Sequence, residues 1–325
     1  MAAKLAEAIS KLKERNTLLH ELLRLVTGEI ASPGYWERCA TADATRTPLL
    51  EEYNRQIFHE YEVFSEAVCS ELAKLPPWPA GDTIGGGNLW LWGGPTMEQG
   101  GSMQPDTLCC NAPFFNAENG IYACGTVDRA MLQLHGNMKK LLCRISAPGQ
   151  LPENDEECAG NLSRLSLEFP NITGAVLDNI SSAPGEQIAR ISSRLKKHNP
   201  ALELYGIVFK DELADNDYAA AAPHLDGVNL WFRNQEELLE LEKGVAHCRY
   251  HFPGKKILLG LFIHDYGTAD AGTLPELLIH QLKGTRYLLK QGKINGLVIM
   301  GDREILKWPE QAALVRGFLA GQQSI

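Results

Sequence analysis

The sequence predicts an α/β fold, a closed (β/α)8 barrel preceded by an N-terminal helical extension. Three observations carry that expectation. Eight short apolar runs recur from residue 84 onward. Most are followed by a stretch of helical periodicity, the alternation that builds βαβ units around a parallel sheet with right-handed crossovers. The glycine cluster Gly85-Gly86-Gly87 precedes a strand, whereas a doubly wound open sheet wants its phosphate-binding glycines after the first strand. Eight units over about 240 residues match the usual size of a closed barrel. The chain therefore divides into a helical extension packed on the barrel, residues 1–80, and a barrel domain, residues 81–325.

In the extension, Leu5, Ile9, Leu12, Leu19, Leu22, Leu23 and Val26 recur at helical spacing up to Ser32-Pro33-Gly34. A second helix begins after Thr47-Pro48, a cap followed by proline at the first helical position. Its apolar face runs Leu50, Tyr53, Ile57, Tyr61, Phe64, Val68 and Leu72, and Pro76-Pro77-Trp78-Pro79 closes it. Such helices have two uses, a brace against their own barrel or a homodimer contact. The brace is preferred, because an amphipathic helix usually buries its face in its own domain.

Strands are expected at 88–93, 120–125, 140–146, 172–179, 202–209, 227–232, 256–265 and 296–301. Helices are expected at 127–135, 156–168, 185–197, 236–247, 274–290 and 305–319. The first unit lacks one. Between Gly93 and Gly120 the chain carries Gly100-Gly101, Pro105, Cys109-Cys110, Pro113 and Phe114-Phe115 with little helical periodicity. It reads as a long loop over the barrel mouth, with a poorly patterned helix as the alternative.

Composition narrows the function classes. Of 325 residues, 44% are hydrophobic and 22% charged, ordinary for a globular chain and unlike a disordered or disulfide-stapled one. No apolar run approaches the ~20 residues of a membrane span. Lys4, Glu7, Lys11 and Lys13 interrupt the start, which argues against a secretory signal. A net charge of −9, with no basic run longer than two, argues against nucleic acid and anionic membrane as partners. The eight cysteines form no CxxC pair and no zinc-ligand spacing. They read as reduced thiols of a cytoplasmic protein, with Cys124 and Cys143 as small core residues. Neither a metal nor another cofactor is expected.

In a barrel the outward residues must be apolar, because helices cover them, and the alternate residues point inward. On this rule Asn88, Trp90 and Trp92 of the first strand point in. So do Arg144 and Ser146 of the third, Gly174, Val176 and Asp178 of the fourth, Asn229, Trp231 and Arg233 of the sixth, and Asp302 after the eighth. Two strands stay ambiguous, because both parities are apolar: either Asp211 or Glu212 faces the pocket on the fifth, and either His264 or Asp265 on the seventh. All of these acids, with Arg303, fall at the C-terminal strand ends, where such barrels build their sites. A strand-end aspartate is often only a helix cap, and Asp302 is open to that reading because Arg303-Glu304 opens the last helix. Asp178 is the strongest candidate, since its helix starts only at Pro184-Gly185. Trp92, Trp231 and Tyr266, set among carboxylates and arginines, suit a sugar ring with its apolar faces and hydroxyl rim.

Three stretches carry a resemblance: Phe169-Pro170-Asn171-Ile172-Thr173-Gly174-Ala175-Val176-Leu177-Asp178, then Asp226-Gly227-Val228-Asn229-Leu230-Trp231, and Lys256-Ile257-Leu258-Leu259-Gly260 leading to Asp265-Tyr266-Gly267. Over roughly residues 85–319 the chain resembles a group of uncharacterised bacterial, glycoside-hydrolase-like TIM-barrel proteins. That resemblance implies the barrel and a carbohydrate substrate. Retaining glycosidases on this fold often place the acid/base after the fourth strand and the nucleophile after the seventh, and Asp178 and Asp265 hold similar positions. The usual residues there are glutamates, often with an asparagine before the acid/base; this chain departs from that with Asp178-Asn179.

The expected function is a glycosidase-like hydrolase acting on a small-molecule or oligosaccharide substrate. Asp178 supplies one carboxyl, and Glu212 or Asp265 the other. Trp92, Trp231 and Tyr266 line the sugar subsite, and Arg144 and Arg233 bind hydroxyls or an acidic group. Asn229, His264, Asp302 and Arg303 complete the substrate-binding set. Two alternatives stand beside it. One is a metal-dependent sugar isomerase or epimerase using Asp178, Glu212, His264 and Asp302 as ligands. The other is a non-catalytic carbohydrate-binding barrel that keeps only the aromatics.

Overall fold

Each of the eight apolar runs forms a strand in the computed structural model, which describes residues 62–94, 106–123, 127–145, 153–178, 180–181, 183–266, 272–301 and 304–321. The expectations for residues 1–61, and for Cys124, Ser146, Asn179, Asp302 and Arg303, lie outside these. The strands are β1 (Leu89–Gly93), β2 (Asn119–Tyr122), β3 (Lys140–Arg144), β4 (Ile172–Leu177), β5 (Glu203–Phe209), β6 (Gly227–Trp231), β7 (Lys256–Leu261) and β8 (Gly296–Met300). Neighbours pair in parallel and β8 returns to β1, so the sheet closes into a barrel in sequence order. Helices lie between the strands, and the fold is a (β/α)8 barrel.

A helix over 62–72, here α1, precedes the barrel. It buries Phe64 and Val68 in the same apolar cluster as the outward strand faces. The chain then runs across α7 (Pro275–Lys290). There the Trp78 indole Nε1 donates to His280 Nδ1 at 3.1 Å, and the Asp82 amide donates to the Arg286 carbonyl at 2.9 Å.

The other helices are α2 (Thr107–Phe115), α3 (Arg129–Leu134), α4 (Glu153–Leu165), α5 (Gly185–Leu195), α6 (Leu241–His251), α8 (Glu304–Lys307) and α9 (Pro309–Leu319). Helix α2 occupies part of the stretch read as a loop or a poorly patterned helix, so the second of those readings holds over Thr107–Phe115. Its start is made by Asp106, whose carboxylate accepts from the Leu108 and Cys109 amides. Its end is Asn116 at φ 53°, the left-handed turn that asparagine tolerates. Pro113 inside the helix and the paired cysteines hide it from a periodicity count. The single last helix expected at 305–319 is two. Trp308 sits at φ −125°, ψ 63°, because a residue before proline is pushed out of the helical region.

Two departures within strands matter for the mouth. Leu141 pairs with Ile172 but Leu142 pairs with Gly174, so Thr173 is an extra residue, a bulge in β4. Strand β7 stops at Leu261 rather than at 265. Beyond it, Ile263 accepts the Thr273 amide and His264 bridges Gly272, so the chain pairs with its own returning loop. Among the described residues no helix is long and apolar enough to cross a membrane.

Candidate functional site

Alternation around the closed sheet produces two apolar layers. The outward residues join the helices, and a separate inner cluster holds Trp90, Trp92, Ile121, Leu142, Val176, Tyr205, Ile207, Trp231, Leu258, Phe262 and Val298. At the C-terminal end of this inner cluster Trp92 meets Trp231 edge to face, with centroids 5.9 Å apart at 86°, and Trp231 meets Phe262 at 4.6 Å. The buried Trp231 indole donates to Asn229 Oδ1 at 2.9 Å, and Asn229 Nδ2 donates to the Leu258 carbonyl at 3.0 Å. Asn229, expected among substrate-binding residues, is thus buried and holds the floor together. Room for the indole comes from Gly260, where a Cβ would lie 2.1 Å from the Trp231 ring.

Two arginine–carboxylate pairs stand above this floor. On the β3–β4 side, Arg144 Nη2 donates to Asp178 Oδ2, its Nη1 donates to the Ala123 carbonyl at 3.2 Å, and its guanidinium lies 5.9 Å from the Trp92 ring centroid. On the β5–β6 side, Arg233 donates to Glu212 Oε1 and, at 3.4 Å, to Asp211 Oδ2. Its guanidinium sits 3.6 Å over the Phe209 ring, a cation–π contact. Both acids reach one arginine because residues Lys210–Glu212 form a 3-10 turn, which ends the strict alternation of β5. The buried Tyr218 hydroxyl is pushed up to about 12, by burial first and then by the charge of Glu212.

The tip of β7 divides His264 from Asp265. His264 follows the parity of the inward Phe262, with ring centroids 5.5 Å apart. Tyr266 stacks on Phe262 at 5.0 Å and 21°, and stays 57% exposed. Asp265 is 3% exposed. Gln235 Nε2 donates to its Oδ2 at 3.0 Å, while Gln235 Oε1 accepts the Leu274 amide at 2.9 Å. Asp265 therefore helps clamp the returning loop to the turn after β6. Of the expected site residues, the fold gathers Trp92, Arg144, Asp178, Trp231, Arg233 and Glu212 at the barrel mouth, with His264 and Tyr266 on β7's aromatic face. Phe209 and Phe262 join them. Inward parity was the signal for both, hidden because β5 and β7 are apolar on either face.

A second cluster was not anticipated. Asp106, Cys109 and His135 come together between α2 and the end of α3, and among the described residues they are the group of three potential metal ligands; Asp178, Glu212 and His264 form no such group. His135 Nε2 lies 2.9 Å from Asp106 Oδ2, and Cys109 Sγ lies 3.2 Å from His135 Nδ1. Burial alone would raise the Asp106 carboxyl; the bond to His135 and the amides of Cys109 and Leu108 outweigh it and hold the group below its usual range. Burial and the neighbouring Asp106 push the Cys109 thiol up to about 11. The spacing of Asp106 and Cys109 to a histidine beyond β2 matches no local motif, so only the fold reveals it.

No protein-family model matches the chain, and no curated protein matches it. Among solved structures, similar ones include glycoside hydrolases. The Bacillus cereus spore cortex-lytic enzyme SleL shares 11% identity at a TM-score of 0.46, covering 72% of this chain and 74% of that one. Bacteroides uniformis beta-glucuronidase 2 shares 12% at 0.47, covering 67% of this chain and 30% of that one. A GH18 chitinase from Cycas revoluta, solved with (GlcNAc)4, shares 12% at 0.44, covering 66% and 94%.

Proposed function

We propose that the chain is a carbohydrate-active barrel protein, a glycosidase-like hydrolase with its site at the C-terminal end of the strands. The observation that carries this reading is the mouth itself. Two carboxylates from different strand ends, Asp178 and Glu212, stand over an aromatic floor of Trp92, Trp231 and Phe262, each held by an arginine. A sugar presents apolar faces to such a floor and hydroxyls to such a rim. One carboxyl protonates the leaving oxygen; the other attacks the anomeric carbon or activates water. Asp178 and Glu212 are the preferred pair over Asp265, whose carboxylate is taken up by Gln235 below the surface. Tyr266, exposed on its Phe262 stack, is the proposed outer sugar platform, with Arg144, Arg233 and His264 as contacts to hydroxyls or an acidic substituent. The extension, residues 1–80, serves as a brace on the barrel rather than as a dimer contact; Phe64, Val68 and Trp78 support that role.

The test is a panel of aryl glycosides and oligosaccharides assayed with wild type, Asp178→Asn and Glu212→Gln. A true substrate should lose turnover about 100- to 10,000-fold in each variant. Unchanged turnover in Asp178→Asn would remove the assignment. One observation favours a second reading, a barrel that binds sugar without cleaving it: both carboxylates are engaged by arginines. It predicts saturable binding of an oligosaccharide with no turnover anywhere in the panel.

A further inference from the structure

His135 is buried, and both of its ring nitrogens are engaged. The carboxylate of Asp106 can only accept, so in the neutral ring Nε2 carries the proton and Nδ1 turns its lone pair toward Cys109. Asp106 is itself fixed, because its other oxygen accepts the Leu108 and Cys109 amides at the start of α2. A sulfur and an imidazole lone pair thus face each other across 3.2 Å, with the Leu134 carbonyl oxygen 3.5 Å from the same sulfur. A carboxylate on the far nitrogen of a ligating histidine is the arrangement that fixes the tautomer and raises ligand basicity at metal sites. Zinc bonds of about 2.3 Å to sulfur and 2.0–2.1 Å to nitrogen, at a tetrahedral angle, set the two donors about 3.5 Å apart. Opening the present contact by a few tenths of an ångström suffices. Cys109 and Asp106 are both partly exposed, so an ion has a way in.

We propose that Cys109 and His135 bind a thiophilic divalent cation of the zinc class, with Asp106 as the residue that positions His135. Binding exchanges the thiol proton for the metal: the S–H bond breaks, the proton leaves to solvent, and the sulfur's electron pair forms the metal bond. The remaining positions fall to water and the Leu134 carbonyl. This site lies on the outer, helical layer and is independent of the sugar reading at the mouth.

The test is titration of the reduced full-length chain with Co²⁺, followed by competition with Zn²⁺. The expected result is one equivalent of Co²⁺ giving a near-ultraviolet thiolate-to-cobalt band that zinc abolishes. Cys109→Ser should lose the band, whereas Cys110→Ser, which changes the exposed neighbouring thiol, should keep it. Asp106→Asn retains a capping oxygen and should weaken binding about 10- to 100-fold. Circular dichroism confirms that each variant is folded, and zinc protection of Cys109 from iodoacetamide provides a readout on the unmutated chain. No band, a band that survives in Cys109→Ser, or alkylation of Cys109 indifferent to saturating zinc each overturns the proposal. The last would identify a metal-free thiol–imidazole pair instead.

Discussion

The two sides of the barrel mouth use the same pair of residue types in different ways. On the β3–β4 side one arginine meets one aspartate, and both are nearly enclosed, with side chains 12% and 15% exposed. On the β5–β6 side one arginine serves two carboxylates, stacked on a phenylalanine and open to solvent at 28% and 31% for Arg233 and Glu212. Among the described residues the Arg144–Asp178 pair is charge-balanced, whereas Arg233 with Asp211 and Glu212 carries a net negative charge. An enclosed, balanced pair is a rigid fixture, because removing one partner strands a poorly solvated charge. The open triple is adjustable, since Arg233 retains a carboxylate whichever acid is occupied. On the proposed reading, a substrate that develops positive charge would find the excess carboxylate on the β5–β6 wall.

Substitutions can sharpen or break this contrast. The largest effect should come from Trp231→Ala, which removes the floor beneath both sides and is expected to cost about 3–5 kcal/mol, read as a shift in urea midpoint. Gly260→Ala should reproduce part of that loss by displacing the indole, with a matching change in tryptophan fluorescence. Next comes Asp178→Asn, expected to destabilise by about 1.5–3 kcal/mol as Arg144 loses a charged acceptor. Glu212→Gln should cost less than about 1 kcal/mol, because Asp211 remains and the site is more exposed. Equal losses in those two variants would erase the distinction between the sides.

The smallest effect lies away from the mouth and serves as its control. Burial holds His280 below its ordinary range, where it accepts the Trp78 indole proton as a neutral ring. The imidazole takes up a proton from solvent more readily in the unfolded chain than in the fold, so the contribution is complete above about pH 6.5 and declines as the pH falls below it. Stability measured at pH 7.5 and 5.5 should drop for wild type and drop less for His280→Gln.

Much of this geometry is legible in the sequence wherever a strand has one apolar and one mixed face. Trp92, Arg144 and Trp231 turn inward because Leu91, Cys143 and Leu230 must lie under helices. The rule fails on β5 and β7, where Phe209 and Phe262 are as apolar as Val208 and Leu261 on the opposite face. It fails again beyond Phe209, since a 3-10 turn obeys no two-residue alternation. Helix α2 could be read only as an alternative to a loop, because a proline and two cysteines replace the pattern a helix normally shows. The Asp106–Cys109–His135 group escaped notice because its members meet only after β2 has paired between β1 and β3.

The bulge at Thr173 gives the phase of a strand a chemical meaning. Ile172 faces outward, and a regular strand counted from it would send Gly174, Val176 and Asp178 outward too. The extra residue reverses that phase, so Val176 joins the inner cluster and Asp178 reaches Arg144. Pairing Thr173 as an ordinary strand residue would leave every functional side chain in the sequence, yet turn the Asp178 carboxylate toward the helices. For this barrel, the phase of one strand is as much a part of the site as the acid it delivers.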